Sequence, residues 1–183
     1  MKLKPKPGDI IFSRKSGPLS LIIRWLMGPF PYSHACLVAD PPNTVFTTGF
    51  GGKGKKTWAI LPASEFRQLP MSEYLANKKF VVCRYDGLTE KQRAQIIKWC
   101  QSQLGKKYPF RKTLKLFTML LKGKGINRVP LQPNQQHCYE FVAKAYSQAG
   151  ILLDPRANNL DPSGYDIKEI YLSPKLADIY AKS

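Results

Sequence analysis

Tyr32-Ser33-His34-Ala35-Cys36-Leu37-Val38 is the stretch on which the fold of this chain turns. It continues through Asp40 into Pro41-Pro42, so residues 33–40 form a short apolar run closed by two prolines, and read as a strand. Side chains on a strand alternate between faces, so His34 and Cys36 leave the same side. A lone histidine in such a run is ordinarily a core residue with a satisfied hydrogen bond. Working outward, Thr44–Thr48 reads as a second strand across a short turn, and Pro7–Ser13, which opens Pro-Gly-Asp and runs into Ile10-Ile11-Phe12, as an earlier one. Lys56–Leu61 and Lys79–Tyr85 are two more, and the Gly- and Lys-rich stretch 49–56 is a loop.

The helices separate from these strands by period. Gly17 to Gly28 carries apolar residues at 19, 22, 23, 26 and 27. Thr89 and Gln92 form a capping-box pair, Ile96, Ile97 and Leu104 follow on an apolar stripe, and Gly105 ends the helix. Residues 109–122 read as a basic amphipathic helix, 129–136 as a proline-containing loop, and 138–150 as a helix with Phe141, Val142, Ala145 and Tyr146 on one face. From Asp154 the chain is loop, then a short helix around Pro174–Tyr180. Strand, helix, clustered strands, then helices make an α+β fold, an antiparallel sheet with helices packed on it. The 183 residues suffice for one domain, 1–183, with a real core.

Apolar residues make up 43% of the chain, which excludes a disordered polymer. The formal net charge is +17, from 29 Lys and Arg against 12 Asp and Glu, which favours an anionic partner: nucleic acid, a lipid surface or an acidic polymer. No apolar h-region follows the basic start, and the longest apolar segment, 19–27, is too short to span a bilayer, so a cytoplasmic protein with reduced thiols is expected. Cys36, Cys83, Cys100 and Cys138 show no C-x-x-C spacing, which argues against disulfides or a zinc ribbon. Phosphate-loop, HExxH and dinucleotide motifs are absent, so neither a metal nor a cofactor is expected.

Cys138 stands at the expected start of the 138–150 helix, where free backbone N–H groups favour a thiolate. An imidazole must share its proton. His137 is adjacent in sequence, and side chains of adjacent residues diverge, so it lines the site rather than acting as base. His34 is the remaining histidine. Cys36 has no helix start to lower its pKa and ranks below Cys138 as nucleophile.

Four segments together resemble the permuted branch of the NlpC/P60 superfamily, the papain-like group of YiiX/YaeF-like hydrolases and LRAT-like acyltransferases. Pro7-Gly8-Asp9-Ile10-Ile11-Phe12 resembles its opening strand, and residues 32–38 its histidine strand. Leu104-Gly105-Lys106-Lys107-Tyr108 resembles its G-x-x-Y stretch, and Cys138-Tyr139-Glu140-Phe141-Val142 its nucleophile helix. Pro162-Ser163-Gly164-Tyr165-Asp166 fits its closing segment. The resemblance implies a circularly permuted papain-like fold, Cys138 as nucleophile and His34 as base, with Tyr32 and Tyr108 beside the site. The family's third residue, often Glu, falls where this chain has Thr47. Thr47 then orients His34, or Asp40 substitutes, or activity is lost. Three functions follow: a cysteine hydrolase cleaving an amide in a peptide or peptidoglycan stem, an LRAT-like lipid acyl hydrolase or acyltransferase at anionic membranes, and an inactive basic binding module.

Overall fold

The turn at Pro7-Gly8-Asp9 delivers the chain into β1 (Ile10–Arg14). The structure, a computed structural model, describes residues 4–14, 31–48, 66–76, 78–106, 138–153 and 170–182. Outside these fall the expected helices at 17–28 and 109–122, the strand at 56–61, the loops at 49–56 and 129–136, and the segment 162–166. After β1 come β2 (His34–Val38), β3 (Thr44–Thr48), β4 (Phe66–Pro70), the five-residue helix α1 (Met71–Leu75) and β5 (Lys79–Arg84). Helices α2 (Glu90–Ser102) and α3 (Cys138–Ser147) precede a final strand, β6 (Ala177–Lys182).

The strands form one sheet in the order β4-β3-β2-β1-β5-β6, antiparallel throughout. Its register fixes the two faces. Ile10, Phe12, Ala35, Leu37, Phe46, Val81 and Cys83 point to one side, where Ile96 and Ile97 of α2 and Phe141, Val142 and Ala145 of α3 cover them. Phe141 stacks on Phe66 with ring centroids 4.5 Å apart and touches Trp99 at 5.4 Å. Ile11, Cys36, Val38, Val45, Phe80 and Val82 point to the other side, covered by Tyr74 of α1. The sheet is thus a layer between two apolar surfaces, which is why β1, β2 and β5 are nearly continuous apolar runs.

Local chemistry sets the helix ends. Thr89 Oγ1 accepts from Gln92 N at 3.3 Å and Gln92 Oε1 accepts from Thr89 N at 3.1 Å, the capping box read from the sequence. Leu104 departs from its expected place on the apolar stripe. The helix ends at Ser102, so Leu104 lies beyond it and is exposed, while Cys100 takes a buried position. The tail also differs. Pro174 lies in a turn and 177–182 is strand β6, not a helix, because β5 offers a free edge whose backbone groups that segment satisfies. Strand β4 and helix α1 carried no sequence signal: Phe-Arg-Gln-Leu-Pro is a half-polar edge strand, and five residues are too few to show a period.

Four elements are tied at the opening turn. Arg84 of β5 donates to Asp9 through Nε at 3.0 Å and Nη2 at 2.7 Å, with both side chains buried. Tyr146 of α3 donates to the Gly8 carbonyl at 2.7 Å, Gly8 N donates to Val38 O of β2 at 2.8 Å, and Arg93 of α2 donates to the Pro7 carbonyl. Gly8 adopts φ +87°, which favours glycine, and a Cβ there would stand 3.3 Å from a Leu88 methyl that would have to shift.

Removing one member of a buried ion pair leaves the other uncompensated. Asp9→Ala should therefore lower stability by about 3–5 kcal/mol. Removing the exposed Glu90, which meets Arg93 at 3.5 Å, should cost no more than about 0.5 kcal/mol. Urea denaturation of the two variants measures both, and equal losses would remove Asp9 from its anchoring role.

Candidate active site

His34 opens β2 and is buried. Its ring lies on the face that carries Cys36 and Val38, since the strand alternates. Register pairs Leu37 with Phe46 and Val38 with Val45, which sets Thr47 opposite Cys36 and diagonal to His34 on the same face. The result is a direct contact: His34 Nε2 and Thr47 Oγ1 are 3.0 Å apart, both buried. Asp40, the alternative partner, is exposed in the turn beyond the far end of β2. From residue 34 to residue 40 an extended chain covers roughly 20 Å, so the Asp40 carboxylate does not serve His34.

Beside the imidazole stands Tyr74, its ring centroid 6.1 Å from that of His34. The Tyr74 hydroxyl meets Ser13 Oγ at 2.8 Å and also bonds Cys36. Burial raises its pKa well above the ordinary tyrosine value, and the charges of Cys36 and Cys138 add to the rise. Tyr74 is therefore a neutral phenol at any physiological pH. Lys78 Nζ lies 3.7 Å over its ring.

Cys138 is the first residue of α3 and is buried. The direction of α3 follows from its other end. Tyr146 is bonded to Gly8, and Gly8 to Val38, so that end of the helix lies at the Val38 end of β2. Eight residues of helix back to Cys138 cover roughly 12 Å. Four residues of strand back to His34 cover roughly 13 Å. The helix packs along β2, so its first residue emerges at the His34 end. The body of α3 covers the Ala35 and Leu37 face. Glu140, in the first turn, is buried, a placement that suits the positive end of the helix dipole.

The remaining expected site residues divide. Tyr32 is half-buried and packs against Phe12 at 6.4 Å and Tyr171 at 5.6 Å. Tyr108 and His137 lie outside the described residues. Ser13 and Tyr74 were not anticipated. Ser13 is an ordinary small residue in an apolar strand, and Tyr74 belongs to the helix without a sequence signal. All four cysteines are buried free thiols. Burial pushes the Cys83 and Cys100 thiols far above the ordinary thiol range. Among the described residues no helix is long and apolar enough to cross a membrane.

A family model described as permuted papain-like amidase enzyme, YaeF/YiiX, C92 family, matches residues 4–168. The fold is similar to the crystal structure of the metalloprotein YiiX from Escherichia coli O157:H7. The TM-score is 0.67 at 20% identity, over 98% of this chain and 99% of that one. No curated protein matches the sequence.

The buried phenol carries a pH signature. A tyrosine whose folded pKa is raised contributes stability that is complete below its unfolded pKa, near 10, and is lost as pH climbs towards the folded value. Tyr74→Phe should lower stability by about 1–3 kcal/mol at neutral pH, because Ser13 loses its partner. The deficit should shrink above pH 10, where the wild type loses the phenol's contribution and the variant has none to lose. Urea denaturation at pH 7 and above pH 10 reads both effects; a deficit that grows with pH would contradict the assignment.

Proposed function

The chain belongs to the C92 family of permuted papain-like amidases, and we propose that it cleaves an amide bond through a Cys138 acyl-enzyme with His34 as base. The observation that carries the reading is the buried His34–Thr47 contact at 3.0 Å. It fixes the ring through Nε2, and in this reading Nδ1 is the nitrogen that serves the thiol. Thr47 is the orienting group, its hydroxyl oxygen accepting the Nε2 proton. A hydroxyl stabilises the imidazolium less than a carboxylate, but it holds the ring and its tautomer.

The steps follow from these positions. His34 Nδ1 takes the Cys138 proton, and the thiolate attacks the carbonyl carbon. Backbone N–H groups of the first turn of α3 face the oxyanion. When the C–N bond breaks, the imidazolium returns its proton to the leaving amine and a thioester remains. Water attacks the thioester, His34 takes its proton, and the departing thiolate recovers one. Acid and thiol are regenerated without external oxidant or cofactor. Tyr32, Tyr108 and His137 line the substrate path in this reading.

The substrate class is a peptide, with the stem of peptidoglycan as the macromolecular form. A net charge of +17 suits an acidic polymer of that kind. YiiX is described as a metalloprotein. Among the described residues no three His, Cys, Asp or Glu side chains group as a metal would require.

Fluorogenic peptide amides and intact-protein mass spectrometry test the mechanism. Cys138→Ala should abolish turnover and the acyl adduct. Thr47→Val keeps the shape and deletes a bond of about 1 kcal/mol, so the rate should fall about 5- to 10-fold. Asp40→Asn should leave the rate unchanged. An adduct on Cys36 in place of Cys138 would move the nucleophile, and full activity in Thr47→Val would discard Thr47 as the orienting group.

A further inference from the structure

The short crossover beneath the imidazole has no part in the steps above. Strand β4 lies at one edge of the sheet and β5 beyond β1, so the chain between them passes over β3, β2 and β1. Helix α1 makes that passage on the face that bears His34, tied at its start by Met71 N, which donates to the Asn43 carbonyl at 2.7 Å. Its buried residue is Tyr74. Ser13 of β1 is the register partner of His34, and Cys36 follows His34 on the same face of β2. The Tyr74 hydroxyl meets Ser13 Oγ at 2.8 Å and also bonds Cys36. It is therefore fastened on two flanks of His34, across the strands and along one.

Ile11, Val38, Val45 and Val82 fill the same layer with hydrocarbon. A phenyl ring and a methyl group in place of the Tyr74 and Ser13 side chains would fill it too, without burying two hydroxyls that are costly unless each finds a partner. The hydroxyls therefore point to a role beyond filling space. An imidazole turns about its Cβ–Cγ bond between two roughly equivalent orientations. A half-turn of His34 would carry Nε2 off Thr47 and put a ring carbon in its place. The Tyr74 ring stands beside the imidazole, with centroids 6.1 Å apart and planes inclined at 44°. It opposes that turn as long as it is itself held.

We propose that Tyr74 is a positioning residue for His34: its ring keeps the imidazole from turning, and its bonds to Ser13 and Cys36 lock that ring. The effect is exerted through Thr47, because only the unturned imidazole offers Nε2 to the Thr47 hydroxyl. The weight of this in catalysis rests on the amidase reading; the positioning itself does not.

Two measurements on the full chain test this. On fluorogenic peptide amides, Tyr74→Phe should lower kcat about 5- to 10-fold, as much as Thr47→Val, and leave KM within about twofold. In a Thr47→Val background the same change should cost less than about twofold, since the bond it protects is already gone. Ile96→Val, which loosens the core on the opposite face, should lower stability and leave kcat unchanged. Separately, the His34 ring nitrogens are followed by NMR at about pH 8.5, well above the ordinary imidazole pKa of about 6.5, and assigned by their loss in His34→Gln. The wild type should show a single tautomer with the proton on Nε2. Tyr74→Phe and Ser13→Ala should show a mixture of tautomers, and Ser13→Ala carries the test alone if Tyr74→Phe does not fold. Unchanged kcat and unchanged His34 signals in a folded variant overturn the proposal and leave Tyr74 a residue of the core. Losses that multiply in the double variant overturn it too, because Tyr74 would then act independently of Thr47. If the wild type cleaves no amide, the amidase reading fails, and the His34 signals alone decide whether Tyr74 positions the ring.

Discussion

The bidentate pair between Asp9 and Arg84 is the constraint on which the other parts of the domain depend. A carboxylate and a guanidinium removed from water cost several kcal/mol each unless they meet in good geometry. Here they meet through two bonds, and the carboxylate also accepts from Lys6 N at 2.8 Å, while Arg84 Nη2 reaches the Lys4 carbonyl at 3.0 Å. The pair therefore settles only when the turn before β1 and the end of β5 are both in place. The same turn presents the Gly8 carbonyl to Tyr146 and its N–H to Val38, so helix α3 and strand β2 are drawn to one point.

That convergence reaches the site from a distance. One end of α3 and one end of β2 are pinned at Gly8, and the two elements have nearly the same length. Their other ends carry Cys138 and His34. The opening turn touches neither residue, yet it fixes the opposite ends of the two elements that carry them. The buried surroundings of His34 do the local work: Thr47 holds the ring, and Ser13, Tyr74 and Cys36 form a hydrogen-bonded group beneath it. Such a group rigidifies a site because each member left unpaired would cost more than its bond contributes.

Charge is distributed unevenly in meaning as well as in number. Lys and Arg outnumber Asp and Glu by 29 to 12. The two carboxylates discussed here behave differently from each other. Asp9 is buried and matched, and so serves the fold. Asp178 is exposed and accepts from Cys83 and Tyr171, and so ties β6 to its neighbours at the surface.

Much of this protein was decided within short stretches of sequence. Strands β1, β2, β3 and β5 are apolar runs bounded by turn residues, and residues 89–92 form their capping box from neighbours three apart, so local physics alone specifies them. The start of α3 at Cys138, and with it a thiol at a helix N-terminus, was equally legible. Other features needed the assembled chain. Strand β6 exists because β5 has an edge to satisfy, and β4 because β3 has one; neither segment prefers a strand strongly by itself. The sequence puts both Thr47 and Asp40 near His34, and the antiparallel register sets the Thr47 hydroxyl against the imidazole. Side chains meet across strands by pairing and not by proximity in the chain, so Thr47 reaches the imidazole while Asp40, nearer in sequence, is carried past the far end of the strand.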